Sequence, residues 1–299
     1  MHKYVLLTIA CLLMEFVAEA QEFNIENEYA KQLKRYPFIS PYRADSVDVN
    51  EIINIEYKKA DNRSLQLDIF LPQNANAQMP TLCIVHGGGW RSGNKTMDWP
   101  IAKSLANRGI ACVCIDYRKS DVALYPAALN DVEDALKWIY DNAEAYHFDR
   151  NCINVSGTSA GGQLAALAGA RNISRIIKHV IDIDGVLAFI HPDSSEGHDK
   201  PGKKSAATLW LGCPVDSCRE LWNSASALYN VGEKSADFLF INSAQKRFSA
   251  GQNEMIDELN RYGHSAEVQK TTDTPHTFWL FNPWAPQVVE WMAEYLLKK

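Results

Sequence analysis

Short, unbroken apolar runs of strand length alternate with helical-period segments from residue 81 to the end of the chain. The runs read TLCIVHGGG, IACVCIDY, CINVSG, HVIDIDG and FLFINS, and AEVQKTT follows them as a further strand. A strand that is apolar at successive positions leaves no face for water, so both sides must be covered. Between the runs, Met97 to Arg108 is helical in pattern. From Ala128, the residues Val132, Ala135, Leu136, Ile139, Tyr140 and Ala143 repeat with a 3.6-residue period behind Pro126. AGGQLAALAGA, NEMIDELNRYG and a C-terminal stretch from Gln287 to Leu297 are the other helices. Strands alternating with helices specify the α/β class: a mostly parallel central sheet with helices on both faces. Ahead of them, INIEYKK and SLQLDIFLP alternate apolar and polar around ADNR, which predicts an antiparallel hairpin.

The chain has 299 residues, 46% hydrophobic and 22% charged, the balance of a globular protein with a sizeable core. It shows no internal repeat or low-complexity linker, so a single domain is expected over 51–299, with an irregular, lid-like insertion at about 188–231. Residues 21–50 form a polar extension, whose RYPFISPYR is its aromatic cluster, and are expected to lie across the surface. The formal net charge of −6 and the lack of a basic run disfavour nucleic acid and anionic membrane as partners.

The first residues carry a targeting pattern. Lys3, an apolar stretch from Tyr4 to Met14 and Ala18-Glu19-Ala20 predict a signal peptide over 1–20, cleaved before Gln21. The stretch is too short to span a bilayer, which takes about 20 residues. A secreted or periplasmic location is expected. Of the cysteines beyond the leader, Cys83, Cys112, Cys114 and Cys152 lie within apolar strand runs, as small buried hydrophobes do. Cys213 and Cys218 lie in the loop GCPVDSC, close enough to close a small disulfide in an oxidising compartment. There is no second C-x-x-C pair and no H-E-x-x-H, so zinc is not expected.

The chemistry concentrates in three places. In NVSGTSAGGQLAA, Ser159 stands between Gly157 and Gly161, after a buried strand and directly before a helix. Flanking glycines permit the strained turn that lifts a serine hydroxyl above a sheet, although they would equally serve close helix–sheet packing. In HGGGW, at the end of the first long buried strand, three glycines leave backbone N–H groups unshielded. Gly87 and Gly88, with the N–H of Ala160, are the expected oxyanion donors; His86 is expected to anchor the loop. Third, His276 in TPHTFWLF follows the last predicted strand and precedes the last helix, where a general base can reach the serine.

HGGGW followed by GTSAGG and a late PHTF resembles the α/β-hydrolase fold, and within it the hormone-sensitive-lipase-like and feruloyl- or acetyl-esterase-like enzymes. The resemblance covers about Ile52 to the C-terminus. It implies a carboxylic ester hydrolase that needs no cofactor or metal, with Ser159 as nucleophile, His276 as base and Gly87, Gly88 and Ala160 around the oxyanion. The family-like DYR of Asp116 to Arg118 is read as scaffold. PHTFWLFNPW, together with RYPFI and the export signal, is similar to secreted bacterial esterases that strip acyl or methyl groups from plant polysaccharides. A small ester or esterified oligosaccharide is then the partner, and the oligomeric state stays open. An aromatic rim of Trp90, Trp279, Trp284 and Trp210 would suit stacking on a sugar or aryl group.

One departure matters. The family places its acid in a short H-G-x-x-D turn after the seventh strand, where this chain reads INSAQKRFSAG. Asn242 stands in place of that histidine, and the aspartate position falls near Lys246. Asp184, at the end of the preceding strand, is the expected acid and Glu254 the alternative; Asp182 lies further inside the strand and Asp273 too close to His276 in sequence. The missing acid turn leaves room for a non-catalytic polysaccharide-binding relative. A serine peptidase on the same fold is the other rival.

Overall fold

The period-two side-chain alternation of a strand sends neighbouring residues to opposite faces, and here both faces are buried. In the computed structural model, which describes residues 23–44, 49–73 and 77–298, Leu82 and Ile84 enter one apolar cluster while Cys83 and Val85 enter the other. The leader expected over 1–20 lies outside the described residues.

The chain opens with α1 (Ile25–Gln32) and the two-residue strand β1 (Ser40–Pro41), then forms the hairpin β2 (Val49–Ala60) and β3 (Arg63–Pro72). Next come β4 (Met79–Val85), α2 (Trp99–Ala106), β5 (Ala111–Ile115), α3 (Ala127–Asp141), the short α4 (Ala143–Tyr146) and β6 (Phe148–Thr158). The chain continues through α5 (Ala160–Arg171), β7 (Ile177–Ile183), α6 (Ala206–Leu211), α7 (Arg219–Ser224), β8 (Asp237–Asn242), α8 (Gln252–Arg261) and β9 (Ala266–Lys270). The short β10 (Phe281–Asn282) and helix α9 (Ala285–Leu297) end it. Among the described residues, β2-β3-β5-β4-β6-β7-β8-β9 form one eight-stranded sheet. The hairpin joins β5 antiparallel, and every pair from β5 to β9 is parallel. Side chains of α3, α5 and α8 pack on one face, those of α2 and α9 on the other. This is the mostly parallel, doubly covered sheet that the apolar runs implied, in the α/β-hydrolase form that the motif resemblance implied.

Two regions do more than the sequence reading gave them. The N-terminal extension is tied into the domain: Tyr36 and Ile39 are buried beside α9, and β1 pairs with β10. The stretch over 188–231 holds α6 and α7, and it buries Trp210 and Trp222 completely. Neither helix exceeds six residues, too short to leave a readable period. Within this stretch Cys213 and Cys218 form the expected disulfide, and Cys83, Cys112, Cys114 and Cys152 are free and buried. No helix of the described residues is long and apolar enough to cross a membrane.

The DYR stretch is scaffold. Arg118 forks onto buried Asp131 and also reaches Asp61, while the Asp116 carboxylate accepts the Lys95 N–H at 2.9 Å. The Tyr117 hydroxyl donates to the His86 carbonyl at 3.0 Å, which fixes the start of the glycine loop.

Candidate active site

Ser159 sits where β6 turns into α5, with φ 53° and ψ −117°, a left-handed conformation that a non-glycine residue adopts only under constraint. The constraint comes from packing. A Cβ on Gly161 would lie 2.0 Å from the Val85 carbonyl oxygen, so only glycine lets α5 approach β4 this closely. The turn is also pinned by the Ser159 N–H, which donates to the Ile183 carbonyl at 2.8 Å. Its hydroxyl is thereby presented at the N-terminus of α5, the positive end of the helix dipole.

His276, in the loop after β9, places Nε2 2.8 Å from Ser159 Oγ and Nδ1 2.9 Å from Asp184 Oδ2. A carboxylate can only accept, so Nδ1 carries the proton and Nε2 is left to accept from the serine. Asp184 follows β7 and is fully buried. Its other oxygen, Oδ1, accepts the Ser243 N–H at 2.7 Å, from the loop after β8. Of the two acids read from the sequence, Asp184 is thus the one brought to His276. Glu254 is not: its carboxylate is exposed and meets His191 at 3.3 Å. Asp273 is likewise exposed and turned toward Arg35.

Asp182, two residues before Asp184, is buried without a cationic partner among the described residues. Burial pushes its carboxyl up to about 8, partly opposed by the Gly185 N–H that donates to Oδ1 at 2.9 Å. The native state therefore keeps a proton that the unfolded chain loses near the ordinary value of 3.8. Between those values the native state binds more protons, so this group's contribution to stability declines as pH rises from about 4 to 8. Asp182→Asn is expected to flatten that decline. Urea unfolding midpoints of wild type and variant at pH 5 and pH 8 should diverge, with the variant gaining at pH 8; parallel values would refute it.

The serine and histidine open into a cavity of about 400 Å³. Gly88, Gly89 and Ala160 border it, and their N–H groups have no acceptor among the described residues. This moves the expected glycine pair along by one: Gly87 does not border the cavity and instead packs on Thr158, whose carbonyl a Cβ there would meet at 2.8 Å. His86 anchors the loop as expected. Its Nδ1–H donates to the Gly87 carbonyl at 2.7 Å, its ring stacks on Tyr117, and burial lowers it to about 3, so it stays neutral.

The aromatic rim is not a rim. Trp90, Trp210 and Trp279 are buried, and Trp284 packs against Tyr36 and Phe38 away from the cavity. Trp90 does border the cavity, but as a fixed wall. Its indole stacks on Trp210 at 4.8 Å, and its N–H donates to Gln163 at 2.9 Å. Instead, polar and charged groups form the mouth, and sequence reasoning missed them. Glu28, Lys31 and Gln32 come from α1, Ser195 and Glu196 from the insertion, and Arg247 from the loop after β8. None carries a local signal, because each is brought in by an element distant in sequence.

Several known proteins are similar to parts of this chain. Esterase LipC of Mycobacterium tuberculosis is 40% identical over 91 residues, covering 30% of this chain and 23% of its own. Isoprenylcysteine alpha-carbonyl methylesterase ICME of Arabidopsis thaliana is 30% identical over 113 residues, covering 38% and 26%. The matched stretch thus spans about a quarter of the length of these curated relatives. Among solved structures, an arylesterase superposes with a TM-score of 0.71 at 18% identity, covering 93% of each chain. A truncated carbohydrate esterase from gut microbiota superposes with a TM-score of 0.68 at 18% identity, covering 86% of this chain and 100% of that one. At such identities the structures speak for the fold alone. The profile of the BD-FAE family matches residues 67–249, more than half of the chain and the whole stretch from β3 through the serine turn to the loop after β8, and by that match the chain belongs to the BD-FAE family.

Proposed function

We propose that this chain is a serine-dependent carboxylic ester hydrolase that removes acyl or methyl esters from plant polysaccharide. The observation that carries the reading is the continuous line from Ser159 Oγ through His276 to buried Asp184, opening beside backbone N–H groups that have no acceptor among the described residues. Ser159 Oγ attacks the ester carbonyl while His276 Nε2 takes its proton. The oxygen that becomes negative is received by the N–H groups of Gly88, Gly89 and Ala160. His276 then returns the proton to the departing alcohol, leaving an acyl-serine. A water molecule, deprotonated by the same nitrogen, releases the acid. The Asp184 carboxylate, bonded to Nδ1, stabilises the imidazolium in both halves.

The finer reading rests on the cavity's two characters. Its buried walls, Trp90, Val186 and Phe248, offer an apolar place for a small acyl group. Its polar mouth offers hydrogen-bonding groups to a hydroxyl-rich alcohol. A carbohydrate esterase shares the fold, which agrees with that choice. A non-catalytic relative draws on the missing acid turn, and the 2.9 Å contact of Asp184 with His276 favours the catalytic reading over it. Export through the leader at 1–20 belongs to the same proposal and is supported by the Cys213–Cys218 bridge; N-terminal sequencing that found Met1 retained on protein made in its own host would contradict it. The decisive experiment is labelling with a fluorophosphonate, with the modified peptide identified by mass spectrometry, followed by assays on acetylated, feruloylated and methyl-esterified polysaccharides. Label on the Ser159 peptide and release from at least one polymer are expected. An unlabelled protein would remove the esterase reading, and a labelled one inert on all three polymers would remove the polysaccharide.

A further inference from the structure

The loop after β8 does something other than carry an acid. Phe248 stacks face to face on the imidazole of His276, with ring centroids 3.8 Å apart and planes 7° from parallel. The Arg247 guanidinium lies over the same ring, 4.2 Å from its centroid. An imidazole at 3.8 Å fills one face of the phenyl ring, so the guanidinium takes the other. Arg247 in turn meets Glu196 of the insertion at 3.4 Å. On its edge the imidazole meets Trp279, at 5.2 Å and 88°.

Two in-plane hydrogen bonds, at Nδ1 and Nε2, still let an imidazole tilt about the line that joins its partners. One of those bonds is lost whenever Ser159 carries an acyl group, because the ester oxygen has no proton to give. A flat ring held against the imidazole face removes that tilt and keeps Nε2 aimed through both halves of the reaction. We propose that Phe248 is a positioning residue for His276, and that Arg247, gripped by Glu196, clamps Phe248 from behind. The inference rests on the esterase reading above. It explains why a loop with no carboxylate before Glu254 still sends a buried aromatic side chain into the site.

The test uses kcat and KM on p-nitrophenyl acetate. Phe248→Leu keeps the cavity wall apolar but loses the flat face, and kcat is expected to fall about tenfold, the scale of losing one well-placed aromatic pair, with a smaller change in KM from the altered wall. Phe248→Tyr restores the face and is expected to return most of that loss. Arg247→Ala, at an exposed position, is expected to lower kcat about threefold by loosening the clamp. Wild-type kcat in Phe248→Leu, or equal losses in the Leu and Tyr variants, would overturn the positioning role; wild-type kcat in Arg247→Ala would overturn the clamp. A second measurement does not depend on the Phe248 and Arg247 variants folding. The His276 ring protons, assigned in wild type by comparison with His276→Gln, should show the upfield shift of protons over a phenyl face. Their absence from that position would overturn the stack itself. Failure of the esterase reading would show differently, as wild-type protein that neither turns over nor takes up fluorophosphonate while the ring shift persists.

Discussion

Replacing Asp184 by Asn is expected to lower turnover on a small aryl ester by about four orders of magnitude. The size follows from how the carboxylate is held. Oδ1 accepts the Ser243 N–H at 2.7 Å, and Oδ2 accepts from His276 Nδ1 at 2.9 Å. An asparagine has one oxygen and one NH2, and the Ser243 N–H can be met only by the oxygen. The NH2 is therefore forced toward His276, where it needs Nδ1 as an acceptor. That moves the imidazole proton to Nε2, the atom that must accept from Ser159. The variant keeps its shape and loses its base. Glu254→Gln should leave turnover within about twofold of wild type, because its carboxylate faces His191 on the surface, where charge pairs contribute little. Kinetics of the two variants beside Ser159→Ala, with circular dichroism to check folding, decide the matter. A folded Asp184→Asn enzyme within tenfold of wild type would remove Asp184 from the mechanism.

The residues that could be read directly from the sequence are those whose surroundings are local. Ser159 announces itself because its strand, its two glycines and its helix are contiguous in the chain. The parallel sheet follows from the apolar runs for the same reason, since a strand buried on both faces must be apolar throughout. Asp184 was reachable by a weaker route: parallel strands end at one edge of the sheet, so an aspartate at the end of β7 lies near whatever follows β9. Phe248 had no such route. Nothing in INSAQKRFSAG says that its phenylalanine will lie flat on a histidine 28 residues later. The mouth failed for the same reason. Glu28 and Lys31 belong to an extension that reads only as polar, and only the docking of α1 beside Thr277 brings them to the cavity. The tryptophans misled in the opposite direction. An aromatic residue near a motif reads as a ligand platform, but Trp90 and Trp210 satisfy each other by stacking, and the wall they form is closed.

The glycine loop separates its members by a test that composition alone could not set. Gly88 has φ 124°, a region closed to side chains, and a Cβ there would lie 2.1 Å from the Ser92 carbonyl oxygen. Ser92 cannot simply withdraw, because its N–H and hydroxyl both bond the Gly88 carbonyl, each at 3.1 Å. Gly88→Ala must therefore shift the loop as a whole, and with it the N–H groups that face the developing oxyanion. Misplacing one such donor costs about 10²–10³ in kcat, and that is the expected loss. Gly89 differs: its φ of 59° is the ordinary left-handed region, and a Cβ there meets nothing closer than Ala206 Cβ at 3.5 Å. Gly89→Ala costs about 1–2 kcal/mol of backbone strain, and it should leave kcat within about tenfold of wild type because the donors stay in place. Since the added methyl faces Ala206 at the cavity wall, its effect belongs in KM for esters with bulky groups. Steady-state kinetics on acetate and butyrate esters distinguish the two. If a folded Gly88→Ala enzyme keeps its kcat, the loop does not hold the oxyanion and Ala160 must act with some other donor; if Gly89→Ala proves the more damaging, the sensitive point of the loop is Gly89 and not Gly88.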